Sequence, residues 1–339
     1  MIRIAINGFG RIGRNAFKIA STKKNIQIVT INDLTDNATL AHLLRHDSNY
    51  GQFQKSVKSD DKYLYVDGKR ILVTAIPEVE KLPWKENKID VVIESTGRFT
   101  THEDLQKHIK AGAKSVVLSA PEKHDEDHDT FVIGANEKDL KPSHNIISNA
   151  SCTTNCIAPI MSVLSKKIGI EKSLMTTVHS YTQSQQLQDG PAKDLREARA
   201  AAENIVPTTT GAATAAALTI PELKDKFDGL SIRVPTPVVS ISDITFVSKK
   251  NTTIDEINSV LQKAAHSTHK GIISYTSEEL VSSDFIGDPH SCIVDLKLTN
   301  VVDGNLCKVV AWYDNEWGYS NRLVEMVVLA GQNIERQHK

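Results

Sequence analysis

The sequence predicts an α/β protein in two parts: a doubly wound, parallel-stranded N-terminal half, then an α+β half with a long-stranded antiparallel or mixed sheet. Three observations carry this. Residues 2–31 read strand, glycine turn, helix, strand. Apolar runs up to about residue 147 are short and unbroken, as in strands buried on both faces. Beyond residue 170 the strand-like runs lengthen, and Asp303-Gly304 between two of them signals a hairpin. A chain of 339 residues suits two such domains, each with its own core.

The first strand is Ile2–Ile6, the helix runs from Arg14 to about Thr22, and the second strand is Ile26–Ile31, ending at Asn32-Asp33. Between the first two elements lies Asn7-Gly-Phe-Gly-Arg-Ile-Gly13, a Gly-x-Gly-x-x-Gly turn with an acid twenty positions beyond its last glycine. Each part has a task in dinucleotide binding. Gly8 permits the tight turn, Gly10 the approach of backbone to pyrophosphate, Gly13 close helix–strand packing, and Asp33 accepts the ribose hydroxyls. Asp67-Gly68 joins a hairpin of Tyr63–Val66 and Lys69–Thr74. Strands follow at Asp90–Glu94, Ser115–Ser119, Thr130–Gly134 and Ile146–Ile147, with an amphipathic helix at Glu103–Ala111. His124 and His128 are four apart but interleaved with acids, which reads as a solvated loop rather than a metal site.

In the second half, strands are expected at Leu174–Tyr181, Val238–Val247, Cys292–Val302 and Leu306–Tyr313, and a final helix from Tyr319 to about Asn333. Such a meander leaves a sheet face for a partner subunit. Basic and acidic residues nearly balance, 40 against 41, which leaves no electrostatic footprint for nucleic acid or an anionic membrane. Four cysteines make no disulfide scaffold and fit a reducing compartment. The alternating strand begins directly after Met1 and no apolar stretch approaches 18 residues, so a soluble, cytosolic protein is expected.

The most informative run is Ser148-Asn-Ala-Ser-Cys-Thr-Thr-Asn-Cys156. Helical spacing from Thr153 onward places Cys152 at a helix N-terminus, where the macrodipole favours thiolate and free N–H groups suit an oxyanion. Cys156, one turn on, reads as a core residue. Cys152 and Cys156 are poorly aimed for a disulfide, and Cys292 and Cys307 are too remote for a zinc set, so no metal is expected. His179, Arg233 and Thr210-Gly211 are candidate base and anion binders that spacing alone cannot assign.

Six motifs occur in order: Asn7-Gly-Phe-Gly-Arg-Ile-Gly-Arg14, Ser148–Asn155, Thr176-Thr-Val-His-Ser-Tyr181, Pro207-Thr-Thr-Thr-Gly-Ala-Ala213, Arg233-Val-Pro-Thr-Pro237 and Trp312-Tyr-Asp-Asn-Glu-Trp-Gly-Tyr319. Together they resemble the phosphorylating glyceraldehyde-3-phosphate dehydrogenases along essentially the whole chain. The resemblance implies a homotetramer with an NAD-binding Rossmann domain at 1–150, a catalytic domain at 151–315, and a C-terminal helix at 316–339 returning to the first domain. It implies that Cys152 attacks the aldehyde of glyceraldehyde 3-phosphate, with His179 activating the thiol and steadying the oxyanion. It further implies that hydride passes to the nicotinamide of NAD, leaving a thioester that inorganic phosphate cleaves to 1,3-bisphosphoglycerate. Ser151, Thr153, Thr210 and Gly211 would hold that phosphate, Thr182 and Arg233 the substrate's own. Arg11, Ile12, Asp33, Ser119 and Asn315 would line the cofactor.

The chain departs from the family pattern in places. Glu197 stands where a phosphate-contacting Arg is expected, Gln183-Ser184 replaces Asn-Asp, Gln186 an Arg, and Gly190 a Leu; Pro77 falls where the cofactor often meets an Arg. Asp33 would repel a 2′-phosphate and so favours NAD over NADP, while Gly190 removes bulk that helps exclude it. Two alternatives follow: a dehydrogenase of another phospho-sugar aldehyde such as erythrose 4-phosphate, or a weakly catalytic relative used in redox sensing or as a scaffold.

Overall fold

The computed structural model describes residues 1–123 and 129–337; His124 and His128 lie outside the described residues. The chain forms two compact units. The first comprises residues 1–131, 138–150 and those from Ser320 onward; the second comprises 132–137 and 151–319.

The first unit is built on β1 (Ile2–Asn7), α1 (Arg11–Ala20), β2 (Ile26–Asn32) and α2 (Asn37–Arg45), then a two-residue pair, β3 (His46–Asp47) and β4 (Gly51–Gln52). Next come β5 (Val57–Ser59), β6 (Tyr63–Val66), β7 (Lys69–Thr74), β8 (Val91–Glu94), α3 (His102–Lys110), β9 (Ser115–Leu118) and β10 (Ile146–Ser148). The sheet order is β10-β9-β8-β1-β2-β7-β6-β5. Neighbours from β10 to β7 pair in parallel, and β6 and β5 add an antiparallel edge. Every residue of β8 and β9 is buried, which is why both read as unbroken apolar runs. From β1 the chain proceeds one way to β2 and β7, and later the other way to β8, β9 and β10. Ligands of open α/β sheets bind in the crevice at the carboxyl ends of such switch-point strands, here β1 and β8.

Helix α1 begins at Arg11, three residues before the expected start, directly on the glycine turn. The expected strand at Thr130–Gly134 does not form; only Thr130 makes a bridge, to Ser148. Asn136 Oδ1 accepts the Val132 N–H and Glu137 accepts the Gly134 N–H, so a turn takes the donors a ladder would need.

The second unit opens with α4 (Cys152–Lys167) and β11 (Ile170–Ser180), followed by β12 (Val206–Thr209), α5 (Ala212–Thr219), β13 (Phe227–Val234), β14 (Ser240–Ser248) and α6 (Ile254–His266). It closes with β15 (Ile273–Thr276), β16 (Cys292–Asp295), β17 (Asn300–Val302) and β18 (Leu306–Tyr313), and α7 (Trp317–Gln337) ends the chain. The sheet order is β12-β13-β11-β14-β18-β16-β15, with β17 on β18. It is mixed: β11–β13 and β15–β16 are parallel and the rest antiparallel. The expected strand Cys292–Val302 is broken in the middle. Asp295 turns its carboxylate onto the Lys297 N–H and the Trp312 indole, and Asn258 takes the Leu296 carbonyl, which forces a 3₁₀ turn at 296–298.

Candidate active site

Ser151 caps α4, its Oγ accepting the Thr154 N–H at 3.0 Å, and Cys152 is the first helical residue. The preceding Ala150 is fully buried at φ +55, a left-handed conformation unusual for a residue with a Cβ. That reversal leaves only three residues between the end of β10 and the start of α4.

His179 arrives by another route. It is the penultimate residue of β11, and parallel pairing with β13 makes Arg233 its register partner. Cys152 Sγ lies 3.4 Å from His179 Nε2. On the far side of the ring, Nδ1 is 2.7 Å from the Ser180 carbonyl and 2.6 Å from Arg233 Nη1, which is itself 3.2 Å from that carbonyl. Burial, reinforced by the Arg233 charge, pushes the His179 pKa down to about 3, so the ring is uncharged at neutral pH. Burial also pushes the Cys152 thiol up, outweighing the Arg233 charge and the Thr153 hydrogen bonds that pull it down. The helix N-terminus therefore moderates the thiol rather than ionising it. With a protonated thiol and an uncharged ring, Cys152 Sγ and Nε2 share one proton, while Arg233 Nη1, which can only donate, faces both Nδ1 and the Ser180 carbonyl. The Arg233 Nε has no hydrogen-bond partner among the described residues, which keeps a donor for an anion.

Arg233→Gln removes the charge that favours thiolate at Cys152. Iodoacetamide should then alkylate Cys152 more slowly near neutral pH and require higher pH for the same rate. Faster alkylation would contradict this electrostatic account.

Sequence reasoning missed Tyr313. Its hydroxyl sits between Thr153 Oγ1 (2.9 Å) and Thr177 Oγ1 (2.8 Å), and its ring meets His179 edge-on at 6.0 Å. Tyr313 is 1% exposed and burial pushes its hydroxyl pKa far up, so it serves as a fixed hydrogen-bonding post. Two residues on, buried Asn315 has its Oδ1 3.0 Å from Ser240 Oγ and 3.2 Å from Ser180 Oγ. Ser180 in turn donates to the carbonyl of Val239, a β-branched residue held at φ +71. Neither serine was singled out by spacing; both lie where β11 and β14 run side by side.

The other anion candidates lie just after β11 and at the start of α5. Thr182 follows β11, its hydroxyl 3.0 Å from Ser184 Oγ. Thr210 and Gly211 stand at the start of α5, where Thr210 Oγ1 accepts the Ala212 N–H. Glu197 accepts a hydrogen bond from Thr208 at 3.0 Å, at the end of β12 that leads to Thr210. Arg199 pairs with Asp189 at 2.8 Å, whereas the exposed Arg196 guanidinium has no partner among the described residues. At Gly190 an added Cβ would meet Gln186 Oε1 at 3.4 Å and the Gln188 carbonyl at 3.6 Å, ordinary contacts, so the fold does not require glycine there.

In the first unit the three glycines divide by cause. A Cβ at Gly8 (φ +90) would lie 2.6 Å from Thr96 N, and one at Gly13 would lie 2.1 Å from Gly8 O. One at Gly10 would meet nothing within 4 Å, and no side chain caps α1 there. Protein packing excludes side chains at Gly8 and Gly13, while Gly10 keeps an open helix N-terminus suited to pyrophosphate. Asp33 accepts the Phe9 N–H at 2.7 Å, which ties the end of β2 to the glycine turn. Ser119 follows β9, its N–H bonded to Glu94 O. Arg11 pairs with Asp47 at 2.9 Å, and Ile12 is half-buried. These groups fit a dinucleotide. Among the described residues no three His, Cys, Asp or Glu side chains are placed to hold a metal ion.

Comparison with known proteins agrees with this chemistry. Residues 2–102 match the NAD binding domain of glyceraldehyde 3-phosphate dehydrogenase, and residues 151–315 match its C-terminal domain. The chain is 51% identical to glyceraldehyde-3-phosphate dehydrogenase of Geobacillus stearothermophilus over 326 residues, covering 96% of this chain and 97% of the relative. It is also 51% identical to glyceraldehyde-3-phosphate dehydrogenase 2 of Streptomyces avermitilis over 335 residues, 98% and 99% of the two chains. Identity to glyceraldehyde-3-phosphate dehydrogenase 1 of Bacillus subtilis is 49% over 326 residues, 96% and 97% of the two. With both domains matched and half of all positions identical from end to end, the chain belongs to the glyceraldehyde 3-phosphate dehydrogenase family.

Proposed function

We propose that the chain oxidises D-glyceraldehyde 3-phosphate with NAD and inorganic phosphate, forming 1,3-bisphosphoglycerate through an acyl group carried on Cys152. The observation that carries this is the thiol–imidazole contact of 3.4 Å, backed by Arg233, in a chain of this family. The uncharged His179 ring takes the thiol proton as Sγ bonds to the aldehyde carbon, and Nε2–H then donates to the oxygen that develops charge. The donors of Arg233 and the Thr182 hydroxyl hold the substrate phosphate. That bound anion offsets the Arg233 charge, which adds to burial in holding His179 unprotonated, so substrate binding makes the ring a better base. NAD, when bound, would supply the hydride acceptor, and in the first unit the turn at Gly8–Gly13 would hold its pyrophosphate. Oxidation leaves a thioester on Cys152. Ser151, Thr153, Thr210 and Gly211 orient phosphate onto its carbonyl carbon; the C–S bond breaks, and the thiolate recovers the proton held by His179.

The relatives and the free state of all four cysteines support a cytoplasmic enzyme. No helix among the described residues is long and apolar enough to cross a membrane. Exposed apolar side chains on the long sheet, Leu174, Leu230 and Leu306, support assembly with further copies into the homotetramer.

One observation favours a second reading. Glu197, bonded to Thr208, sets a negative charge close in sequence to the attacking-phosphate residues and weakens their hold on an anion. Under that reading another phospho-sugar aldehyde such as erythrose 4-phosphate is oxidised and the thioester hydrolysed. Steady-state NADH formation with each aldehyde, with and without phosphate, separates the two. The proposal expects the higher kcat/KM for glyceraldehyde 3-phosphate and turnover that requires phosphate; phosphate-independent turnover with the longer aldehyde would replace it. NADP serving with a lower KM than NAD would sink the cofactor assignment made from Asp33.

A further inference from the structure

A buried carboxylate sits at the switch point of the first sheet with no assigned task. Glu94 is the last residue of β8, fully buried, and directly in register with Asn7, the last residue of β1. Its two oxygens collect four donors. Oε1 accepts the Thr96 N–H at 2.8 Å and the Thr96 hydroxyl at 2.5 Å. Oε2 accepts Asn7 Nδ2 at 2.6 Å and lies 3.0 Å from His108 Nε2.

The chain of bonds continues both ways. The Trp84 indole can only donate, and it lies 3.0 Å from His108 Nδ1, so Nδ1 accepts and the ring's N–H is fixed at Nε2, facing Glu94. Trp84 and His108 are both fully buried, so water cannot substitute for either bond. In the other direction Asn7 Oδ1 accepts Asn32 Nδ2 at 2.8 Å, and Asn32 Oδ1 accepts from Thr74 Oγ1 and the Ile76 N–H. One continuous network therefore spans the carboxyl ends of β8, β1, β2 and β7. It ends at the half-buried Thr96 turn, followed by the exposed Gly97 at φ +70, and at the buried backbone of Gly8, whose carbonyl the Ser95 hydroxyl holds at 2.8 Å.

We infer that Glu94 is a positioning residue for the dinucleotide: its carboxylate, which accepts the His108 N–H, fixes the Thr96 turn and the Asn7–Gly8 backbone as the floor of the cofactor crevice. Four donors require an acceptor on both oxygens. A glutamine presents one acceptor and one NH₂, so two donors must face a third. One of these conflicts depends on Trp84, because the indole prevents His108 from moving its proton to Nδ1. Without the indole N–H, His108 Nε2 can become the acceptor that a glutamine needs.

The inference rests on the proposed use of NAD, and the test is NAD binding by calorimetry to full-length protein, without aldehyde or phosphate. Glu94→Gln should raise the Kd for NAD about tenfold, the size of one lost hydrogen bond to a charged group. The kcat at saturating NAD and the KM for aldehyde should stay within about twofold, because no reacting group is touched. Trp84→Phe alone should change the Kd by less than about twofold, and the double variant should bind NAD at least about threefold more tightly than Glu94→Gln. A purely structural role gives the opposite sign, with the second core substitution making binding worse. If Glu94→Gln does not fold, Thr96→Val, which deletes one donor at a half-buried site, should still raise the Kd by about threefold or more. An unchanged Kd in a folded Glu94→Gln or in Thr96→Val overturns the inference, as does a double variant no better than the single one. Wild-type protein that binds no NAD removes the cofactor reading and this inference with it.

Discussion

Cys152→Ser is expected to lower kcat for NADH formation by at least about 10⁴-fold, roughly 5 kcal/mol of activation free energy. The reason is the position of the proton. Burial already holds the thiol above its ordinary pKa, and a hydroxyl in the same place is harder still to ionise. Burial still holds His179 low when bound substrate offsets the Arg233 charge, which leaves a base able to take a thiol proton but too weak for a hydroxyl. The substitution nearly conserves volume at a half-buried position, so stability should change by less than about 1 kcal/mol. Steady-state kinetics and thermal unfolding check the two halves. A folded variant that keeps more than about a hundredth of wild-type turnover would exclude covalent catalysis at Cys152.

Two substitutions in the glycine turn should part in opposite ways. Gly13→Ala places a Cβ 2.1 Å from the Gly8 carbonyl, backbone against backbone, so α1 must lift away from β1. Overpacking of this kind costs about 1–3 kcal/mol or more, and the first unit should melt several degrees lower with NAD binding lost. Gly10→Ala meets no protein atom within 4 Å, so stability should hold within about 1 kcal/mol. Its NAD affinity should nonetheless fall at least about tenfold, because the methyl group stands where pyrophosphate approaches the start of α1. Urea unfolding and NAD titration on both variants read the contrast. Normal NAD binding by Gly10→Ala would break the assignment of this turn to pyrophosphate.

The parts of this molecule legible in the sequence are those set by local physics. The strand–glycine–helix–strand start, the Asp67-Gly68 and Asp303-Gly304 hairpins and the helix opening at Cys152 all appear as read, because periodicity, left-handed glycine and helix caps act over a few residues. Helices α2 and α6 escaped notice although their starts carry caps: Asp36 accepts the Thr39 N–H, and Thr253 accepts the Glu256 N–H. The broken strand at 296–298 was not legible, since its cause is a pair of side chains, Trp312 and Asn258, from distant elements.

The site shows the same division. Cys152 stood out through its helix start, but its contact with His179 spans 27 residues and that of His179 with Arg233 spans 54. The first comes from the packing of a helix start on a strand end and the second from sheet register, and no local pattern encodes either. Tyr313 lay within a motif already noted, yet its link to Thr153 spans 160 residues. The direction of the Cys152 shift was also hidden: a helix N-terminus is visible in sequence, the burial that outweighs it is not.

The most direct test of the central claim, an acyl group held on Cys152 until phosphate takes it, is rapid-mixing measurement of NADH with glyceraldehyde 3-phosphate and NAD in the absence of phosphate. The account predicts a burst approaching one NADH per active site, a stall, and resumed turnover when phosphate is added. Continuous turnover without phosphate, or no burst in protein that binds NAD, would contradict it.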